Sequence, residues 1–254
     1  MANLALQGNV HSSVANIQPK YFTLVLMLFS STWLTANVAA VKMVSIFGVV
    51  FTGGFLIFPI TSMLNTIIVE TYGYKNARQA IWSGFTLNII FVLFINIVNI
   101  IPPAEHWSME QEFRSILLPS SRVISASLVS FFISDFLNSY VMAKMKLRNE
   151  GKFLYKRIIF ANSLALSIDI IMFIFLAFYN TMPNSILFSL LVFAFIKKII
   201  CQALLLPVTF YLIHKLKKKE NIDIYDIDTK FNPFLFDNSY DSHRPKLQLQ
   251  SHVK

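Results

Sequence analysis

A single cysteine, Cys201, lies inside an apolar run, so no intrachain disulfide can form and the cysteine count says nothing about a redox compartment. Histidines are few and badly placed for chemistry. His11, His106, His214, His243 and His252 fall in terminal stretches, in a connection or at the end of an apolar run, which leaves no HExxH pair and no imidazole base inside a span. The chain carries no glycine-rich phosphate loop of the Walker type. No catalytic residue, metal-ligand set or cofactor is therefore expected. Charge is in short supply as well: 14% of residues are charged against 55% hydrophobic, with 25 Phe and a mean hydropathy of +0.58. A soluble surface cannot be covered from that supply, so the chain is an integral membrane protein whose first partner is the lipid bilayer. The net charge of +9 is read as loops lying against anionic lipid rather than as a nucleic-acid footprint, because the Lys and Arg residues gather beside the apolar runs.

A hydrocarbon core about 30 Å thick takes roughly 20 apolar residues as helix. Six stretches meet that length, approximately Tyr21–Ala40, Met43–Val69, Ala80–Ile101, Val123–Ala143, Ile158–Tyr179 and Ile186–Ile213. The expected fold is all-α and polytopic: a six-helix transmembrane domain over 21–214, flanked by polar tails over 1–20 and 215–254. The first 20 residues have no long apolar core and do not read as a cleavable signal peptide. The connection with Lys144, Lys146, Arg148, Lys152, Lys156 and Arg157 and the run Lys215 to Lys219 are strongly basic, while 180–184 carries no charge. Basic connections face the cytoplasm, so both termini are expected there.

The stretch from Phe58 to Arg78 is the centre of the reading. An apolar run ends in Glu70, then an aromatic turn, Tyr72-Gly73-Tyr74, then Lys75 and Arg78. A carboxylate at the edge of hydrocarbon is costly and is expected either to contact a substrate or to pair with a cation such as Lys75 or Arg78. The span leading into it carries Gly48, Gly53, Gly54 and Pro59. A helix kinked or broken at Pro59, with close packing at the glycines, is expected.

Further polar residues fall inside the apolar runs: Asn37, Asn88, Asn96, Asn99, Asp135, Asn138, Asn162, Asp169, Lys197, Lys198 and Gln202. Asp135 with Asn138, Asn162 with Asp169, and Lys198 with Gln202 stand at spacings that share a helix face. A lone Asn more often serves as hydrogen-bond glue between helices. A carboxylate is a poor structural choice in lipid, so Asp135 and Asp169 read as site residues. Asp223, Asp226 and Asp228 lack the glycine and terminal glutamate of a calcium loop, and a solvated acidic face on a partly disordered tail is expected there.

With these residues in view, the chain resembles the queuosine precursor transporter family of six-span bacterial membrane proteins. The resemblance runs from about Asn37 to Phe234. It rests on Asn37 and Lys42, Phe58-Pro59, ETYGYKNAR at Glu70–Arg78 with Ile81-Trp82, SASLVSF at Ser125–Phe131, GKFLYKR ending at Arg157, Asp169 with Phe173, Pro207, LKKKENIDIYD and FNPF at Phe231–Phe234. Thr66 stands where the family pattern often has an aspartate, Asp135 and Asn138 replace a Gln and an Asp, and Ala161-Asn162 replaces a Ser-Thr pair. The resemblance implies import, across the bacterial inner membrane, of a 7-deazaguanine such as preQ0 or preQ1 for tRNA modification. A guanine-like edge offers adjacent N–H donors and a carbonyl acceptor. Glu70, Asp135 and Asp169 are candidates for the donors, Asn138, Asn162 and Gln202 for the acceptor, and Asn37 joins the candidate binding set. A homo-oligomer stays open. So do two other readings: a substrate-binding membrane subunit that borrows a partner's ATPase, and a structural or assembly protein.

Overall fold

The computed structural model describes residues 19–46, 49–118, 121–181, 183–227 and 229–235. Its helices are α1 Phe22–Ala39, α2 Phe58–Ile100, α3 Glu110–Leu117, α4 Ser121–Arg148, α5 Leu154–Phe178 and α6 Asn184–Glu220, with strands β1 Met43–Ile46 and β2 Val49–Thr52 between α1 and α2. Five helices of the described residues are long and apolar enough to cross a membrane. The fold is mostly helical, and the hairpin is the departure from an all-α chain.

The run Met43–Val69 is not one helical span. Met43 pairs with Thr52 and Ile46 with Val49 in an antiparallel hairpin, after which Gly53–Leu56 makes a 3-10 turn. Val and Phe are better suited to a pleated surface than to a helix, and this run is rich in them. The expected glycine packing is present at Gly53 and Gly54, which face the carbonyls of Ala39 and Ala36, leaving no room for a Cβ. Gly48 lies outside the described residues. Pro59 does not kink a helix. It sits in the first turn of α2, where the backbone N–H has no intrahelical partner and its loss costs nothing.

The break falls at Gly73 instead, with φ 80° and ψ 173°. Contacts with α1 fix what happens there. Before the break, Gly54 lies against Ala36 and Ala40, whereas Tyr72 packs its ring on Phe22, 5.3 Å between centroids. The first segment of α2 therefore runs antiparallel to α1. After the break, Gly84 abuts Phe29 and Trp33, and Asn88 accepts a hydrogen bond from Asn37. The second segment therefore runs parallel to α1, and the chain reverses direction at Gly73.

Contacts between helices orient the rest of the bundle. Trp33 meets Phe131 at 4.4 Å between ring centroids and Ser127 donates to Asn37, so α4 is antiparallel to α1. Asp169 of α5 meets Lys198 of α6, while Arg157 and Lys217 both reach Glu70, so α5 and α6 are antiparallel to each other. This arrangement gathers Tyr21, Tyr72 to Arg78, Lys146 to Arg157 and Lys217 to Glu220 at one end of the bundle. The core is aromatic and aliphatic, centred on Phe29, Trp33, Ile67, Ile68, Tyr72, Ile81 and Ile158. Leu24, Phe94, Phe175, Phe188 and Leu204 are exposed on the outside, as a surface facing lipid requires.

Candidate functional site

Helix α2 carries the site as a stripe. Phe58, Ser62, Thr66 and Glu70 recur every fourth residue and so lie on one face, with about 6 Å of rise between neighbours. Ser62 accepts from Gln202 of α6 at 3.3 Å. Thr66 donates to Asn162 of α5 at 3.1 Å and accepts from Asn138 of α4 at 3.4 Å. Glu70 ends the stripe among cations. A polar column thus runs along α2 from Ser62 to Glu70, answered by side chains of α4, α5 and α6.

At the inner level of this column, Phe58, Ser62, Phe131, Ser134, Asp135, Asn138, Asn162, Ala165, Leu166, Asp169 and Gln202 line one cavity. Asp169 is ion-paired with Lys198 at 2.6 Å, and the Lys198 ammonium stands 3.9 Å from the centroid of the Phe58 ring. Asp135 makes no ion pair among the described residues, and its Oδ2, like Oδ1 of the buried Asn138, has no hydrogen-bond partner there. A buried polar atom without a partner costs about 1–3 kcal/mol, more if charged. These two acceptors stand on one helix face, both at the cavity wall. The cavity has space for about one water, so a ligand the size of a bicyclic base enters only when α2, α4, α5 and α6 part.

At the basic end of the column Glu70 is fully buried and receives two hydrogen bonds from Arg157, at 2.6 and 3.1 Å. Lys217 reaches it at 2.6 Å and Lys146 at 3.8 Å, and both lysines also hold Asp223, at 2.9 and 2.5 Å. The expected pairing with Lys75 or Arg78 is replaced by cations distant in sequence; Arg78 donates to the Asn232 carbonyl. Lys146 was visible as a loop charge but not as a site member. Its spacing from Asn138 through Met142, four residues at each step, was the available signal that it shares their helix face.

The stretch 221–235 is not a solvated acidic tail over its described residues. Asp226 is buried, and its carboxylate accepts the Tyr74 N–H at 2.9 Å. Trp82 donates to the Pro233 carbonyl at 2.8 Å, and Phe231 packs on Tyr74 with Lys144 over its ring. The segment straps the basic end of the bundle. Residue 228, most of 1–20 and everything after 235 lie outside the described residues.

Of the expected site residues, Asp135, Asn138, Asn162, Asp169 and Gln202 come together in one cavity. Glu70 lies beyond it in the ion cluster. Asn37 is elsewhere, bonded to Asn88 at 2.6 Å beside a separate, mostly apolar hollow lined by Asn88, Asn96, Ile116 and Ile124. Ser62 and Ser134 line the cavity too, and their small neutral side chains gave no signal in an apolar run. Lys197 lies over Phe51 and does not line the cavity.

Residues 52–212 match the model of a family described as "putative vitamin uptake transporter". The chain belongs to that uptake transporter family. The matched region contains every residue of the cavity and Glu70 with Arg157, and it stops short of Lys217 and Asp223. The chain is also similar to a Bacillus subtilis (strain 168) protein named "Probable queuosine precursor transporter", 23% identical over 176 residues, covering 69% of this chain and 77% of that one. No solved structure matches. With its apolar helices, the family membership makes this a multi-pass membrane protein of the transport class.

Proposed function

We propose that the chain imports a queuosine precursor, a 7-deazaguanine such as preQ0 or preQ1, through the cavity between α2, α4, α5 and α6. The observation that carries the reading is the orphaned acceptor pair, Asp135 Oδ2 and Asn138 Oδ1, facing a cavity that also holds Asp169, Asn162 and Gln202. The N–H donors of a deazapurine suit such acceptors, and its carbonyl takes a hydrogen bond from an amide such as Gln202. Phe58 and Phe131 at the wall offer ring faces for a planar base. The name of the Bacillus relative supports the same substrate class.

With the reversal at Gly73, the chain makes six crossings: α1, the two segments of α2, α4, α5 and α6. In this reading the bundle end bearing Lys146, Lys152, Lys156, Arg157 and Lys217 faces the cytoplasm, an orientation its positive charge supports, with both termini inside and the protein in the bacterial inner membrane. The polar column from Ser62 to Glu70 is then the inward half of the path. The present arrangement is the closed one, and transport requires the cavity to open to each side in turn.

The test is the queuosine content of tRNA in cells that lack their own precursor synthesis and are fed a deazaguanine. Expression of this chain restores modified tRNA if the reading is right. A chain that reaches the membrane in normal amount yet leaves queuosine at the background level refutes it.

A further inference from the structure

One of the two acids at the cavity wall has no cation among the described residues. Asp135 and Asp169 both line it; Lys198 is paired with Asp169 at 2.6 Å, and no described cation lies within ion-pair distance of Asp135. Its Oδ2 is without any hydrogen-bond partner among the described residues although the residue is only 5% exposed. Asn65 donates to the backbone carbonyl of Asp135 and its side chain hydrogen-bonds the carboxyl, but it brings no charge, and Ser134 turns its hydroxyl to the Phe131 carbonyl. The contrast with Glu70 is instructive: that carboxylate is equally buried but has Arg157, Lys217 and Lys146 around it. The same bundle therefore satisfies one acid completely and leaves the other open toward the cavity.

We propose that Asp135 is a specificity residue that selects a cationic ligand, an amine-bearing deazapurine whose ammonium group binds at its carboxylate. This rests on the uptake reading above and narrows it. An ammonium supplies both things Asp135 lacks, a positive charge and N–H donors, and hydrogen bonds between ionised partners are stronger than neutral ones, more so where water is excluded. Asn138 Oδ1, on the same helix face, takes a ring N–H. A ligand of the same shape with a nitrile in place of the aminomethyl group offers neither charge nor donor at that substituent.

Uptake by the purified protein in proteoliposomes, measured at pH 7 and subsaturating concentration with 7-aminomethyl-7-deazaguanine and with 7-cyano-7-deazaguanine, decides the matter. The expected result is a preference for the amine of about tenfold or more, as close charge pairs at interfaces give. Asp135→Asn should remove the preference, bringing amine uptake down to that of the nitrile. Equal uptake of the two, or preference for the nitrile, overturns the charge selection while leaving import of a deazaguanine standing. Preference retained in a folded Asp135→Asn protein overturns the assignment to Asp135. Uptake of neither compound overturns both readings. The wild-type ratio decides charge selection even where the variant does not fold.

Discussion

Glu70 and Arg157 face each other as a two-pronged ion pair, at 2.6 and 3.1 Å, with both side chains wholly buried. The pair joins α2 to α5 where the polar column reaches the basic end. Removing one partner of a buried pair leaves the other uncompensated and costs about 3–5 kcal/mol, whereas an exposed pair at a helix end contributes about 0–1 kcal/mol. Glu70→Gln is therefore expected to lower the unfolding temperature in detergent clearly, because Arg157, Lys217 and Lys146 lose their shared carboxylate. Neutralising Arg157 in the same protein, as Glu70→Gln with Arg157→Gln, should recover part of the loss. A Glu70→Gln protein that melts with the wild type would show that the cluster carries no stability.

Gly73 supplies a second prediction. Its φ of 80° with ψ of 173° falls in a region open almost only to glycine, where another residue costs of order 1–3 kcal/mol. Gly73→Ala should lower stability by that amount, measurable by chemical denaturation in detergent. Gly84→Ala should also destabilise for a different reason, since its Cβ would stand 2.6 Å from the Trp33 ring. A Gly73→Ala protein as stable as the wild type would mean that the reversal at this residue is wrong.

Much of this was legible in the sequence, and the misses have physical causes. Apolar run length located most of the helices, because hydrocarbon thickness imposes it. Asp135, Asn138, Asn162, Asp169 and Gln202 were legible as a set because polar groups in lipid are expensive. Run length alone could not distinguish Met43–Val69 as helix from hairpin plus helix, since both bury apolar residues; the Val-rich start and the paired glycines were the finer signal. Pro59 was misread because a proline marks a kink or a first turn equally well, and only the hairpin before it decides which. Of the partners of Glu70, Lys146 alone left a trace, its four-residue spacing from Asn138. Arg157 and Lys217 left none, because they come from α5 and α6 and ion pairing across helices makes no local pattern.

The strap over the basic end yields a pH-dependent prediction. Burial pushes the Asp226 carboxyl above its ordinary range, against the opposing effect of the Tyr74 N–H, the Thr229 hydroxyl and the charges of Lys146 and Lys75. A carboxyl raised in the folded state is penalised when ionised. Its contribution to docking is therefore most favourable below its ordinary pKa and is lost as pH rises through the raised value. Asp226→Asn keeps a side-chain oxygen for Tyr74 and removes the titration. Hydrogen exchange in 221–235 should show wild-type protection falling relative to Asp226→Asn as pH rises from the acid side toward neutrality. A difference between the two proteins that does not change with pH would contradict the burial of this carboxyl.

The central claim is that the cavity on the polar column carries the substrate, and Asp169 tests it most directly. Asp169→Asn changes a charge at nearly constant volume where the side chain meets Lys198. The measurement is uptake of labelled deazaguanine into proteoliposomes, expressed per folded protein and set against the wild type. A loss of about tenfold or more is expected, of the size that a close buried charge pair commands. Uptake equal to the wild type, from Asp169→Asn protein shown to be folded and present at the same level, would contradict the claim.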